Sequence, residues 1–275
     1  GGLLGGSLAL ALNALENPPT VRLWARRQET AAAARKLGID GATSSLEDAV
    51  AKADLLVLAV PVGSMDDLVS RSIAADLPAG CLITDVGSVK SVPHHAIRQV
   101  ITGQDFTFIG SHPMAGSEQA GVSAASVDLF QNAACLLTND EAVSPEKADA
   151  LERFWQNVGC RTTWMGAADH DELVARISHL PHILAASAAR VCLEDPSKGD
   201  FGGGGLRDTT RVAAGNPDMW AEILTENRAA LLGPLRDTLA DLGEFLALLE
   251  AADQQAARQW LITAKDRRDL LKPPC

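Results

Sequence analysis

The chain has 275 residues, a formal net charge of −11, 47% hydrophobic and 21% charged residues, which is the balance of a globular protein long enough for two domains with real cores. No Lys/Arg block offsets the negative charge, which argues against nucleic acid or an anionic membrane as partner, and no run approaches the length of a membrane span. The five cysteines, Cys81, Cys135, Cys160, Cys192 and Cys275, are odd in number and outside any CxxC spacing, so they read as thiols of a reducing compartment, the cytoplasm, and not as a disulfide frame or zinc site.

Gly1 to Leu15 admits two readings. The run Leu3 to Leu12 could pass for a signal-peptide core, but no basic region or initiator Met precedes it. It also fits the end of a dinucleotide fingerprint, G-x-G-x-x-G, with Gly2 and Gly5 as second and third glycines. The first glycine and its strand would then lie upstream of residue 1. A helix from about Gly5 to Leu15 would aim its N-terminal amides, around Leu3 and Leu4, at a pyrophosphate. After Asn17-Pro18-Pro19, Val21 to Ala25 reads as the next strand. Enzymes selective for NAD usually place an acid at the end of this strand, whereas Arg accommodates a 2′-phosphate. Here Arg26 and Arg27 follow, which is either a solvated pair opening a helix or a site for NADP. NADP is the expectation, with NAD possible.

Gln28 to Leu37 is helical by composition, and Leu55 to Val60 is a continuous apolar run suited to a buried parallel strand. Val60-Pro61 ends it where such folds face the nicotinamide half of the cofactor. Cys81 to Asp85 is another strand, followed by Val86-Gly87-Ser88-Val89-Lys90, in which Ser88 could cap a helix starting near Val89. Phe106 to Ile109 reads as a short buried strand ended by Gly110. Pro113 then holds His112 on a restricted loop. On spacing alone such a histidine is as often a surface residue as a functional one. Gly121 to Phe130 is expected as helix, Ala133 to Leu137 as strand, Glu146 to Val158 as helix and Arg161 to Met165 as a last strand. This alternation predicts a parallel sheet with helical crossovers, a Rossmann-type α/β domain over residues 1–166.

No strand-like run follows, so residues 167–275 are expected to be all-helical. Asp169-x-x-Glu172 suggests a capping box opening a long helix to about Glu194, with His179 and His182 on one face and a kink at Pro181. The pair lacks the third ligand a metal would need. Lys198 to Gly205 reads as a flexible Gly-rich loop, and Asp208 could brace Arg211 to bind a carboxylate, or the two could form a plain surface ion pair. Asn216-Pro217 starts a helix with Trp220 in its first turn. Leu231, Leu235, Leu239, Leu242, Leu246 and Leu249 form a seam that Gly233-Pro234 interrupts early. It is expected to serve as core and to pack against a second subunit.

Four blocks carry a family resemblance: the Gly-rich start, Gly110-Ser-His-Pro-Met-Ala-Gly-Ser-Glu118, Ser178-His-Leu-Pro-His182, and Gly203-Gly-Gly-Leu-Arg-Asp-Thr-Thr-Arg-Val-Ala213 with Pro217-Asp-Met-Trp220. In this order they resemble the prephenate and arogenate dehydrogenases of tyrosine biosynthesis. The stretch Asp85 to Lys90 resembles that family's Asp-x-Gly-Ser-x-Lys. The resemblance implies a Rossmann-type domain followed by an all-helical dimerisation domain, and a homodimer acting on an anionic substrate. The implied reaction is hydride transfer from the ring 4-hydroxyl carbon to the nicotinamide with loss of the ring carboxylate. It further implies catalytic roles for His112 and Ser88, and substrate contacts for Arg211, His179, His182, Asp208, Ser111 and Trp220. Rival readings are a 3-hydroxyacid or imine-reducing dehydrogenase, which commonly needs a lysine on the helical side, and a non-catalytic NADP-binding sensor.

Overall fold

Strand-length apolar runs separated by turn residues set up the first part of the chain. The computed structural model describes residues 1–116, 119–140 and 143–271; Ser117 and Glu118, which end the His112 block, lie outside them. In order come α1 (Leu3–Asn13), β1 (Leu23–Trp24), α2 (Gln28–Lys36), β2 (Ala42–Thr43), α3 (Leu46–Val50), β3 (Leu55–Leu58) and α4 (Met65–Ala74). Then follow β4 (Leu82–Asp85), α5 (Ser91–Ile101), β5 (Thr107–Phe108), β6 (Gly110–Pro113), β7 (Ala134–Thr138), α6 (Pro145–Asn157) and β8 (Arg161–Met165). β1 pairs with β2, and β3, β4 and β5 pair in that order, all parallel. α1 spans both sets: a Cβ on Gly5 would stand 3.2 Å from Ala59 Cβ and 3.7 Å from Leu23 Cδ1, so glycine permits the close approach. Apolar side chains fill both faces. Leu8, Leu12, Leu151 and Trp155 cover one, and Val50, Met65, Val69 and Ile97 the other. Each such side chain contributes about 1.5–3 kcal/mol through removal from water.

A third, separate sheet, ordered β6-β7-β8, is not wholly parallel. β6 runs antiparallel to β7, with His112 opposite Leu136, and β8 adds in parallel. Gly110 therefore does not end a strand; it lets the chain change partners. A side chain there would collide with Thr138 Oγ1 and come within 2.9 Å of Lys90 Cδ. His112 consequently sits in a strand, not on the expected loop. The expected helix over Gly121 to Phe130 is also absent beyond one 3-10 turn, Val122–Ala124. Val122 instead packs on α1, its Cγ2 2.9 Å from where a Cβ of Gly6 would be, and Ser7 Oγ accepts from the Ser126 amide. Tertiary docking outweighs local propensity here.

The second part is helical: α7 (Ala167–Val174), α8 (Leu180–Cys192), α9 (Gly204–Thr210), α10 (Pro217–Glu226), α11 (Arg228–Glu250) and α12 (Gln254–Asp269). The capping box does not form. α7 begins at Ala167, whose amide is accepted by Asp140 Oδ1 at 2.9 Å, and Asp169 lies inside the first turn. Between α7 and α8 the backbone widens into a π-turn, Ala175–His179, just before Pro181. One extra residue in the ladder accommodates the proline, whose ring and missing N–H would disrupt a regular turn. The Gly-rich loop is partly helical, with a 3-10 segment at Pro196–Phe201 and Gly204 and Gly205 inside α9. α11 runs through Gly233-Pro234 without a break. The leucine seam is core only at its start: Leu231 is 5% exposed, whereas Leu239, Leu242, Leu246 and Leu249 are 48–63% exposed.

Candidate active site

Strand alternation sends Ser111 and His112 to opposite faces. Ser111 is fully buried; its Oγ lies 2.7 Å from Thr84 Oγ1 and accepts from Trp155 Nε1 at 2.9 Å. These contacts brace β6 against β4 and α6. His112, 7% exposed, faces α7: its Nδ1 lies 2.9 Å from His170 Nε2, and His170 Nδ1 lies 2.9 Å from Asp171 Oδ1.

The direction of protons along this chain follows from its end. Burial pushes the Asp171 carboxyl up, but hydrogen bonds from His170, Ser91 and Lys90 outweigh it and hold it below its ordinary value. An ionised carboxylate only accepts, so His170 carries its proton on Nδ1 and offers Nε2 as acceptor. His112 must then donate from Nδ1, which leaves its Nε2 lone pair as the basic edge. Burial, followed by the neighbouring His170, Lys90 and His179, holds His112 well below 6.5. The ring is therefore neutral at pH 7, as a general base must be.

Asp171 has a second task. Its two oxygens accept the amides of Lys90 at 2.7 Å and Ser91 at 2.9 Å, capping α5 from the helical part of the chain. α5 begins at Ser91, so Ser88 does not cap it; that role passes to Asp171. Ser88 stands half-buried between β4 and α5. Beneath it, fully buried Lys90 is ion-paired with Asp85. Asp85 also accepts from the amides of Gly87 at 2.8 Å and Ser111 at 3.1 Å, which ties this turn to β6.

The π-turn and α8 bring His179 and His182 to Trp220. The His182 ring stacks on the indole at 3.6 Å and 10°, and His179 meets it edge-on at 6.2 Å. Asn227, 3% exposed, donates from Nδ2 to the Asp171 carbonyl at 2.8 Å and lies 3.0 Å from His179 Nδ1. Arg211 starts a 3-10 turn, Arg211–Ala214, that packs on α8, with Asp208 exposed on α9 just before it.

The other end of the site fits a nicotinamide dinucleotide. α1 has Gly2 as N-cap, no side-chain cap and no acid in its first turn, and a Cβ on Gly2 would meet nothing within 4 Å. The first amides of the helix, around Leu3 and Leu4, are thus left without a side-chain cap and suited to a pyrophosphate. A cleft of about 360 Å³ adjoins them, and Arg26, Arg27, Val60 and Pro61 line it together with Gly1 and Arg71. Asp67, which also lines it, is 3.4 Å from Arg71, whose guanidinium lies over Trp24 at 5.5 Å. Across the chain, Glu222 Oε1 accepts from Gly63 N at 2.7 Å just past Pro61, and Ile223 is buried among Val62, Met65 and Leu68.

Two family descriptions match this chain in tandem: the nucleotide-binding domain of prephenate dehydrogenase over residues 8–164 and its dimerization domain over residues 166–263. The chain belongs to the prephenate dehydrogenase family. It is 33% identical to the prephenate dehydrogenase of Bacillus subtilis, over 98% of this chain and 73% of that one. The cyclohexadienyl dehydrogenase of Zymomonas mobilis is also 33% identical, over 92% and 87%. The Aquifex aeolicus prephenate dehydrogenase, solved with hydroxyphenyl propionate and NAD+, is 26% identical with a TM-score of 0.86, covering 97% of this chain and 94% of that one. This prephenate dehydrogenase family member is accordingly an oxidoreductase of tyrosine biosynthesis that uses a nicotinamide dinucleotide. Sequence reasoning passed over His170, Asp171, Asn227, Trp24, Arg71 and Glu222. The adjacent His170-Asp171 pair was the one available signal; nothing local marks Asn227.

Proposed function

We propose that the chain oxidises and decarboxylates prephenate or arogenate, with NADP as the preferred hydride acceptor, as a cytoplasmic homodimer whose two parts meet at residue 166. The observation that carries this reading is the Asp171–His170–His112 hydrogen-bond chain, which leaves the Nε2 of a buried ring unprotonated. When bound, the nicotinamide supplies the acceptor for the hydride leaving the ring carbon. His112 Nε2 takes the hydroxyl proton as that hydride leaves, and aromatisation drives loss of the ring carboxylate. Arg211 supplies a cation for the anionic substrate, with Asp208 beside it, and Ser88, His179, His182 and Trp220 complete the contacts. Arg26 and Arg27 favour the 2′-phosphate of NADP because guanidinium pairs with phosphate and, among the described residues, the only acid lining that cleft is paired with Arg71.

Assaying both substrates with both cofactors tests the reading. Turnover of at least one substrate, with higher kcat/KM for NADP, is expected. His112→Asn should lower kcat by about 10²–10⁴-fold with little change in KM, the usual worth of a general base. Arg211→Gln in the same assay should act mainly on KM, because a carboxylate contact is largely shared by ground and transition states. No turnover of either substrate would sink the function, and equal use of NAD the cofactor preference.

A further inference from the structure

His179 is 1% exposed, and its Nε2 is buried without a hydrogen-bond partner among the described residues. An unpaired buried polar group costs about 1–3 kcal/mol, so whether this atom is a donor or an acceptor decides what can relieve it. Asn227 settles that question. The atom of its amide facing the Asp171 carbonyl must be the nitrogen, because a peptide carbonyl only accepts. The same nitrogen faces His179 Nδ1 and has no lone pair to offer, so its second hydrogen is donated and Nδ1 accepts. Burial holds the ring at a pKa of about 4. A neutral imidazole accepting at Nδ1 carries its single proton on Nε2.

We infer that Asn227 is a positioning residue that locks His179 in the Nε2–H tautomer, so that the site offers a donor there to a carboxylate oxygen of the substrate. This rests on the functional reading above for the identity of the anion, but the lock stands on hydrogen-bond geometry alone. The site then holds two imidazoles of opposite polarity. His112 presents a lone pair and His179 presents an N–H, and Asp171 anchors both: its carboxylate through His170, its backbone carbonyl through Asn227. Two neutral histidines left to choose their tautomers could each face the substrate with either edge. Here neither has the choice.

The test combines nitrogen NMR of 15N-histidine-labelled protein with a double-mutant cycle. Wild-type His179, assigned by its loss in His179→Gln, should show the Nε2–H tautomer, and Asn227→Leu should lose that preference. Asn227→Leu should also raise KM by about tenfold or more, the worth of a hydrogen bond to a charged group, with a smaller effect on kcat. A glutamine amide at position 179 supplies an N–H near the same place whatever residue 227 is. Adding Asn227→Leu to His179→Gln should therefore change KM less than about threefold. If Asn227→Leu fails to fold, Asn227→Ser, whose one hydroxyl proton serves only one of the two acceptors, gives the same comparison. An Nδ1–H tautomer in the wild type, an unchanged KM in the single variant, or an equal penalty in both backgrounds overturns the proposal. Failure to turn over either substrate strikes the functional reading instead, and the NMR result still decides the lock.

Discussion

Burial shifts the titration of four imidazoles in the site. His112, His170, His179 and His182 all lie below the ordinary value of 6.5, burial being the first cause in each case. A folded-state pKa below the unfolded one means that the unfolded chain binds protons which the fold refuses, so stability rises with pH in that window. The contribution is complete above about 6.5 and is lost as pH falls from there towards the folded values, at up to about 1.4 kcal/mol per pH unit for each fully buried ring. The lowered Asp171 carboxyl acts in the same direction, in the range below the ordinary carboxyl value of 3.8. Urea midpoints should therefore be lower at pH 5.0 than at pH 7.5, and an equal or higher midpoint at pH 5.0 would contradict the neutral, buried state of these rings. Position in sequence marked His112, His179 and His182 for attention, whereas the only local mark on His170 was its neighbour Asp171. That residue matters only because β6 and α7 meet.

At the scale of elements, α5 depends on α7 for its cap. Asp171 places a negative charge and two acceptors at the positive end of α5, and the same carboxylate starts the relay to His112. Asp171→Asn keeps one oxygen and sets an amide against N–H groups that need acceptors. It should cost about 1–3 kcal/mol of stability, as expected for unsatisfied buried donors. It should also lower kcat by on the order of 10²-fold or more with little change in KM, because a base in the wrong tautomer cannot take the proton. Denaturation curves and steady-state kinetics on one preparation check both; a normal kcat would remove the relay from the mechanism. Elements marked by apolar runs, such as Leu55–Leu58 and Leu82–Asp85, were legible in the sequence because two-sided burial leaves continuous hydrophobicity. The Val122–Ala124 region and Gly110 were not, since a docking glycine on α1 and a change of strand partner leave no local period.

For the whole molecule, surface area points to a second copy. A monomer of 28.9 kDa is expected to expose about 11,400 Å² by the scaling of folded proteins. This chain exposes 15,833 Å², with Leu239, Leu242, Leu246 and Leu249 on α11 and Leu261 on α12 among the exposed residues. An excess of surface of this size, with these leucines exposed, suits a homodimer whose interface runs to about 2,000–5,000 Å² in total. Light scattering should report a two-chain mass at micromolar concentration, and Leu242→Glu with Leu246→Glu should reduce it to one. A one-chain mass for the wild type would refute the dimer.

The sequence by itself determined the α/β class, the helical second part and the family, because buried strands, a glycine-rich helix start and ordered blocks such as Ser178 to His182 are written in consecutive residues. Tertiary structure alone decided which nitrogen of each histidine carries the proton. His112 takes its polarity from Asp171, 59 positions away, and His179 takes its own from Asn227, 48 positions away. Tautomers are set by hydrogen-bond partners, and those partners are brought together only when β6, α7 and the start of α11 pack against one another.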